Sequence, residues 1–314
     1  MEEELTLTPR RGIYLVANRR SQEEANNLIA SIRRCGCSLP IHVIPFDERP
    51  AILDRQWEDV VSLSLADFPA QGIAFFNELK TRHRGCNPGL LRRFLAWFGE
   101  FDDFLYSDND VVALMNWEDL FPWLEGRDLV HADCEFTTAG KFNLRDPRKF
   151  EELMGHGSLE AAMTSGHFLC RRSPRHPADL LQGLSWMESH RDLLIWQDQV
   201  LLHVTLLVAH WQVLNLCKLP HNWASSWAGD YRDVLELVRT IQVDHKPISH
   251  MHYSGGLGSG TRPIDELLWS NLPLKQRNRK LLRALSRQAL GLQSLATQTS
   301  RVQRKLKQSL RHGE

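Results

Sequence analysis

"GIYLVANRRSQEEANNLIASIRRCGCSLPIHVIPFD", residues 12 to 47, reads as strand, helix, strand. "GIYLVAN" (12 to 18) is a short apolar run ended by polar residues, the pattern of a strand buried on both faces. "SQEEANNLIASIRRCG" follows with apolar residues at helical spacing, Ala25, Leu28, Ile29 and Ile32. Ser21 is expected to cap this helix in a capping box with Glu24, and Gly36 to end it. "IHVIPFD" (41 to 47) is a second strand. This is the opening of an α/β parallel sheet.

Working outward, "VVSLSL" (60 to 65) reads as a third strand and "GLLRRFLAWFGEF" (89 to 101) as a helix. Further strands are expected at "FLYSDNDVVAL" (104 to 114), "DLVHAD" (128 to 133), "SGHFLCRRS" (165 to 173), "VLNLCKLP" and "ISHMHYS", and one long buried helix over 192 to 211. No repeat of fixed period is present. A boundary falls near 272. Beyond it Leu281, Leu285, Leu292, Leu295, Val302, Leu306 and Leu310 recur at three- and four-residue spacing, or multiples of it, among basic and polar residues. Residues 272–314 therefore read as a basic amphipathic helical tail suited to self-association or an anionic membrane surface, attached to a domain spanning 1–271.

The 314 residues carry no net formal charge, yet from Lys275 onward 11 Lys and Arg face a single acid, Glu314. The body before it is acidic, which excludes a nucleic-acid-binding core. The six cysteines show no paired CxxC spacing, so no zinc site is expected and the thiols read as reduced. "MEEELTLTPRRG" has no apolar core and is no secretory signal, and "VLLHVTLLVAHWQVLNL" (200 to 216) is too short and too polar to span a bilayer. These readings place the chain in the cytoplasm, with the tail the segment able to reach the inner membrane face.

Chemistry concentrates in Asp108-Asn109-Asp110, set between apolar runs. Burying an unpaired carboxylate costs several kcal/mol, roughly, so the pair is expected at a strand end, neutralised by a cation. In an extended chain, residues i and i+2 share a face. Two hard oxygen donors about 7 Å apart can then share one Mg²⁺ or Mn²⁺, with phosphate oxygens completing the shell. "HKPISHMHYSGGLGSGTRP" (245 to 263) adds three histidines, of which His250 and His252 share a face, then a glycine-rich turn and Arg262. An imidazole beside two carboxylates favours Mn²⁺ over Mg²⁺. Glycines admit phosphates to the backbone, and a guanidinium can clamp them. A surface turn for the glycines and structural hydrogen bonding for the histidines, as for His131 and Asp133, are the plainer alternatives.

These residues resemble the GT-A-fold glycosyltransferases, and among them glycosyltransferase family 8. "FLYSDNDVV" is similar to the family's L-Y-x-D-x-D-V-V strand end, "TSGHFLCRRS" to N-S-G-V-x-L-x, "WQDQVLLH" to D-Q-D-x-L-N, and "HYSG" to H-x-x-G, in the same chain order. The likeness covers about residues 12 to 263. It implies a mixed, mostly parallel α/β sheet flanked by helices and transfer of a sugar, retaining its configuration, from a nucleotide diphosphate donor, a UDP-sugar by preference, to a hydroxyl acceptor. It implies Asp108, Asp110 and His252 as metal ligands. Ala17, Asn18, Arg92 or Arg93, Asn109, Ser165, Gly166, Gly255 and Arg262 become donor contacts, and Asp198 and Gln199 the residues at the reacting face. Three positions depart from the pattern: Val200 stands where the family has aspartate, His203 where it has asparagine, and the family's lysine is absent, with Arg262-Pro263 four residues late. A nucleotidyltransferase and a non-catalytic nucleotide-sugar-binding scaffold are the competing readings. The first wants a G-x-G-x-R-like phosphate loop where "VANRRSQ" stands.

Overall fold

In the computed structural model, which describes residues 8–54, 56–134, 141–254 and 262–269, the strand expected first is Arg11–Ala17 (β1), nearly all of it buried. The helix that follows is Gln22–Arg34 (α1), and Ile41–Pro45 (β2) returns parallel to β1, Ile13 opposite Ile41. Gly36 ends α1 in the left-handed region, with φ of 85°. The backbone N–H of Cys37 then reaches back to the carbonyl of Ile32, as a glycine C-cap allows. The capping box is not formed. Ser21 occupies the N-cap position, but its hydroxyl accepts the N–H of Asn18 instead.

Val60–Ser62 (β3) lies parallel to β2. Asp103–Ser107 (β4) lies parallel to β1 on its other side. Val111–Ala113 (β5) leaves this sheet; Leu129–His131 (β6), His167–Arg171 (β7) and Val213–Asn215 (β8) complete it; His250–His252 (β9) pairs with β5. The seven-stranded order is β3-β2-β1-β4-β7-β6-β8, with only β7 antiparallel to its neighbours. The remaining α-helices among the described residues are Ala70–Arg82 (α2), Pro88–Leu91 (α3), Pro147–Met154 (α4), His176–Ser189 (α5), Asp198–Val208 (α6), Val234–Gln242 (α7) and Asp265–Trp269 (α8).

Side-chain alternation divides the core. Tyr14 and Val16 of β1 join Phe104, Tyr106 and Phe168 against α2, α5 and α6, while Ile13, Leu15 and Ala17 join Leu105 and Leu169 against α1. A strand buried on both faces has no polar alternation, which is why β1 reads as continuously apolar. A third cluster, with Leu237, Met251, Tyr253, Ile264 and Leu268, packs beneath β5 and β9.

Two expected helices differ. Residues 89 to 101 form only the short α3 and then a tight 3₁₀ stretch, Arg92–Phe98. Six consecutive residues of that stretch are buried, Arg92 to Trp97, so it has no solvent face for helical periodicity to mark. The long helix over 192 to 211 is broken. Leu194 is extended and bridges Leu144, and the N–H of Ile195 donates to the carbonyl of Asn143. The continuous helix therefore starts only at Asp198. The tail 272–314 and Gly255 lie outside the described residues.

Candidate active site

The Asp-Asn-Asp segment is not the middle of a strand. It is the link between the end of β4 and the start of β5, where the chain passes from the large sheet to the small one. Its two ends are pinned: the N–H of Asp108 donates to Gly166 (2.7 Å) and the carbonyl of Asp110 accepts from Tyr253 (2.9 Å). The apolar flanks are fully buried, but the carboxylates emerge, Asp108 with 26% and Asp110 with 40% of the side chain exposed. Asn109 donates its side-chain amide to the carbonyl of Val16 (3.2 Å).

Pairing of β5 with β9 sets Val111 opposite His252 and so delivers the imidazole to the carboxylates. Nε2 of His252 lies 3.4 Å from Oδ1 of Asp110. One ligand atom from each of Asp108, Asp110 and His252 lies within 4.8 Å of the others. Burial opposes charge on His252, but Asp133 and Asp110 outweigh it and hold its pKa well above the usual value. Burial likewise opposes charge on Asp110, and His252 outweighs it, keeping that carboxyl below its ordinary range. Asp108 is pushed up to about 6, chiefly by burial and then, against the pull of Arg93, by the charge of Asp110. Two oxygen donors and an imidazole on one cleft wall fit a divalent cation, whose charge would relieve this repulsion.

Gly166 packs against the Cε1 edge of the same ring. A Cβ there would fall 2.1 Å from Cε1 of His252. The preceding Ser165 has φ of 55°, a conformation seldom adopted by residues other than glycine and concentrated at functional sites.

Arg93 forms the opposite wall. Its guanidinium is almost wholly buried and meets Oδ1 of Asp108 at 3.2 Å and Oδ2 of Asp198 at 3.0 Å. It also donates to the carbonyl (2.8 Å) and hydroxyl (3.1 Å) of Ser165 and lies 5.0 Å over the Tyr106 ring. Burial works against its charge; Asp108 and Asp198 outweigh it and raise its pKa. Tyr106 donates its hydroxyl to Asp108 at 2.5 Å. Between these walls, a cleft of about 260 Å³ is lined by Val16, Asn18, Ser21, Phe46, Leu90, Arg93, Tyr106, Asp108, Asn109 and Asp110. It opens beyond the C-terminal ends of the parallel strands, where open α/β sheets bind ligands.

Not every expected residue reaches it. Ala17 points into the core beneath α1, and Val16 lines the cleft in its place. Asn18 lines the cleft, but its carbonyl oxygen accepts from Arg20 and Ser21 and its amide donates to Asp47, so it organises the turn after β1. Arg92 turns to the β2 end, donating to Pro45 (2.8 Å) and Glu48 (2.6 Å). Gln199 donates to Asn143 (2.7 Å) and does not line the cleft. Arg262 is engaged by Asp265 (3.0 Å) and the carbonyl of Ala228 (3.3 Å). Tyr106 and Phe46 are cleft residues that sequence reasoning missed. Tyr106 sits two residues before Asp108 and so shares its face, a signal that was there to use.

Residues 10–123 match the family model described as "Mannosyltransferase putative". No curated protein matches the chain. Among solved structures, 88% of the chain aligns with the apo form of the bifunctional glycosyltransferase WbbM (TM-score 0.55, 11% identity) and spans about half of it, 52%. It aligns over 88% of its length with 95% of the galactosyltransferase LgtC, solved with donor and acceptor sugar analogues (TM-score 0.52, 18% identity). Mouse xyloside xylosyltransferase 1 in its apo form aligns over 79% of this chain and 99% of its own (TM-score 0.50, 12% identity). The chain has the GT-A glycosyltransferase fold, and the family match supports a glycosyltransferase. No helix among the described residues is long and apolar enough to cross a membrane.

Proposed function

We propose that this GT-A fold is a divalent-metal-dependent glycosyltransferase that moves a sugar from a nucleotide diphosphate donor to a hydroxyl acceptor. The observation that carries the reading is the cluster of Asp108, Asp110 and His252 at the rim of the cleft, facing a buried arginine. Asp108, Asp110 and His252 would hold Mn²⁺, which when bound stabilises the negative charge that builds on a departing diphosphate. Val16, Phe46 and Leu90 give the cleft apolar walls for the nucleoside. Arg93 holds Asp108 toward the metal side and Asp198 toward the sugar side. Ser165 and Gly166 form the wall next to the sugar. Asp198, held ready by Arg93, is the carboxylate assigned to the reacting face, with Gln199 beside it anchored on Asn143. Gly255 keeps its assignment to the diphosphate, whereas Arg262 would have to leave Asp265 and the carbonyl of Ala228 to join it. Anomeric configuration is retained in this proposal.

A UDP-sugar is the preferred donor, and the mannosyltransferase description of the matching family makes GDP-mannose the first alternative. The test is release of nucleoside diphosphate from UDP- and GDP-linked hexoses with Mn²⁺ and with EDTA, in the native chain and in Asp110→Ala. Metal-dependent release by the native chain alone, with product configuration read by NMR, supports the proposal. Release that ignores EDTA and the substitution overturns the metal assignment, and no release from any donor overturns the transferase.

A further inference from the structure

Asp133 follows β6 by two residues, is completely buried and takes no part in lining the cleft. An isolated carboxylate there would be expensive. Instead four donors converge on it. Oδ2 accepts the backbone N–H of Gly166 (2.9 Å), and Oδ1 accepts from the Ser226 hydroxyl (2.9 Å), Nδ1 of His252 (3.0 Å) and Nε2 of His250 (3.2 Å).

The contact to His252 has a chemical consequence. A ring nitrogen that donates to a buried carboxylate is committed, and the other nitrogen is left to face outward. In His252 that nitrogen is Nε2, the atom 3.4 Å from Asp110. The ring has little freedom to escape this orientation. Gly166 packs against its Cε1 edge, leaving no room for even a methyl group, and the Thr164 hydroxyl lies 3.4 Å from Nδ1. The same carboxylate therefore anchors two walls of the site, the metal-side imidazole through Oδ1 and the Ser165-Gly166 wall through Oδ2.

We infer that Asp133 is a positioning residue of the metal centre, acting through His252 to present Nε2 to the cation without touching cation or substrate itself. The inference rests on the metal-dependent reading above. His250 shares the carboxylate but directs its other nitrogen to Ser249, 2.6 Å away, so it supports Asp133 from behind.

The experiment is calorimetric titration of the full chain with Mn²⁺ alone, in the native protein, Asp133→Asn, His252→Ala and the double variant. Metal affinity is expected to fall about 10- to 100-fold in Asp133→Asn, the range for partners that orient a ligating histidine. If Asp133 acts on the cation through His252, the same substitution in the His252→Ala background costs little further. A general structural role would weaken both backgrounds equally and overturn the inference, as would unchanged affinity in Asp133→Asn. A native chain that binds no Mn²⁺ overturns the metal-dependent reading and the inference with it. If Asp133→Asn does not fold, nitrogen-15 NMR of the histidines in the native chain with Zn²⁺, a diamagnetic probe, decides instead. The proton on Nδ1 and the metal-induced shift on Nε2 of His252 are expected; metal on Nδ1 overturns the inference.

Discussion

Arg93 lies 3.2 Å from Asp108 and 3.0 Å from Asp198 through one nitrogen of its guanidinium, so a single buried cation ties the metal-side carboxylate to the residue assigned to the reacting face. The two acids come from distant parts of the chain, one at the end of β4 and one at the start of α6. Their association depends on the arginine.

Removing that cation leaves two carboxylates facing each other without compensation. Breaking a buried ion pair by deleting one partner typically costs about 3–5 kcal/mol. Arg93→Met is therefore expected to lower unfolding stability by about 3 kcal/mol or more, read by urea denaturation. A loss below about 1 kcal/mol would show that the carboxylates find other partners.

Gly166→Ala places a methyl where the His252 ring now lies, 2.1 Å from Cε1. The ring must tilt or the β7 segment must move. Loss of Mn²⁺ affinity is expected, with global stability changed much less, and both are measured on the same preparation. Native affinity in this variant would mean that the imidazole is not held where the geometry puts it.

His203 gives a pH dependence. It is buried, its pKa lowered by burial to about 4, and it bridges the carbonyl of Ser158 (2.9 Å) and Asn143 (3.3 Å) as a neutral ring. The unfolded chain takes up this proton near the ordinary histidine value of 6.5. Below that pH the unfolded state binds more protons, so stability is full above 6.5 and falls as pH drops toward 4. The shift corresponds to about 3 kcal/mol over that window. His203→Asn should reduce the slope of denaturation series at pH 7, 6, 5 and 4 by about this amount, the other buried histidines supplying the remainder; an unchanged slope would assign it wholly to them.

The fold was largely legible because its first strands are buried on both faces: the apolar run of β1, the helical spacing of Leu28, Ile29 and Ile32, and the glycine at 36 all act locally. Asp108, Asp110 and His252 were legible as a set because strand geometry puts i and i+2 on one face, although the pairing of β5 with β9 that joins them is a long-range contact. The failures have a common cause. Ser21 and Asn18 were read for local capping and ligand contact, but they bond to each other. Arg92 and Arg93 are adjacent and indistinguishable in sequence, and only the 3₁₀ turn sends one to Glu48 and the other to Asp108. The break before α6 depends on Leu194 bridging Leu144, a pairing no local periodicity encodes. Asp133 reads as an ordinary buried hydrogen-bonding residue, which it is; that it grips His252 follows from tertiary contacts alone.

The most direct test of the central claim is a thermal-shift titration of the native chain and Asp110→Ala with UDP and GDP, each with Mn²⁺ and with EDTA. A ligand at a hundred times its dissociation constant adds about 2.7 kcal/mol to the native state. Stabilisation by one nucleoside diphosphate, present with Mn²⁺ and absent both with EDTA and in Asp110→Ala, is the predicted result and identifies the donor base. Equal stabilisation with and without metal, or none from either nucleotide, would contradict the account.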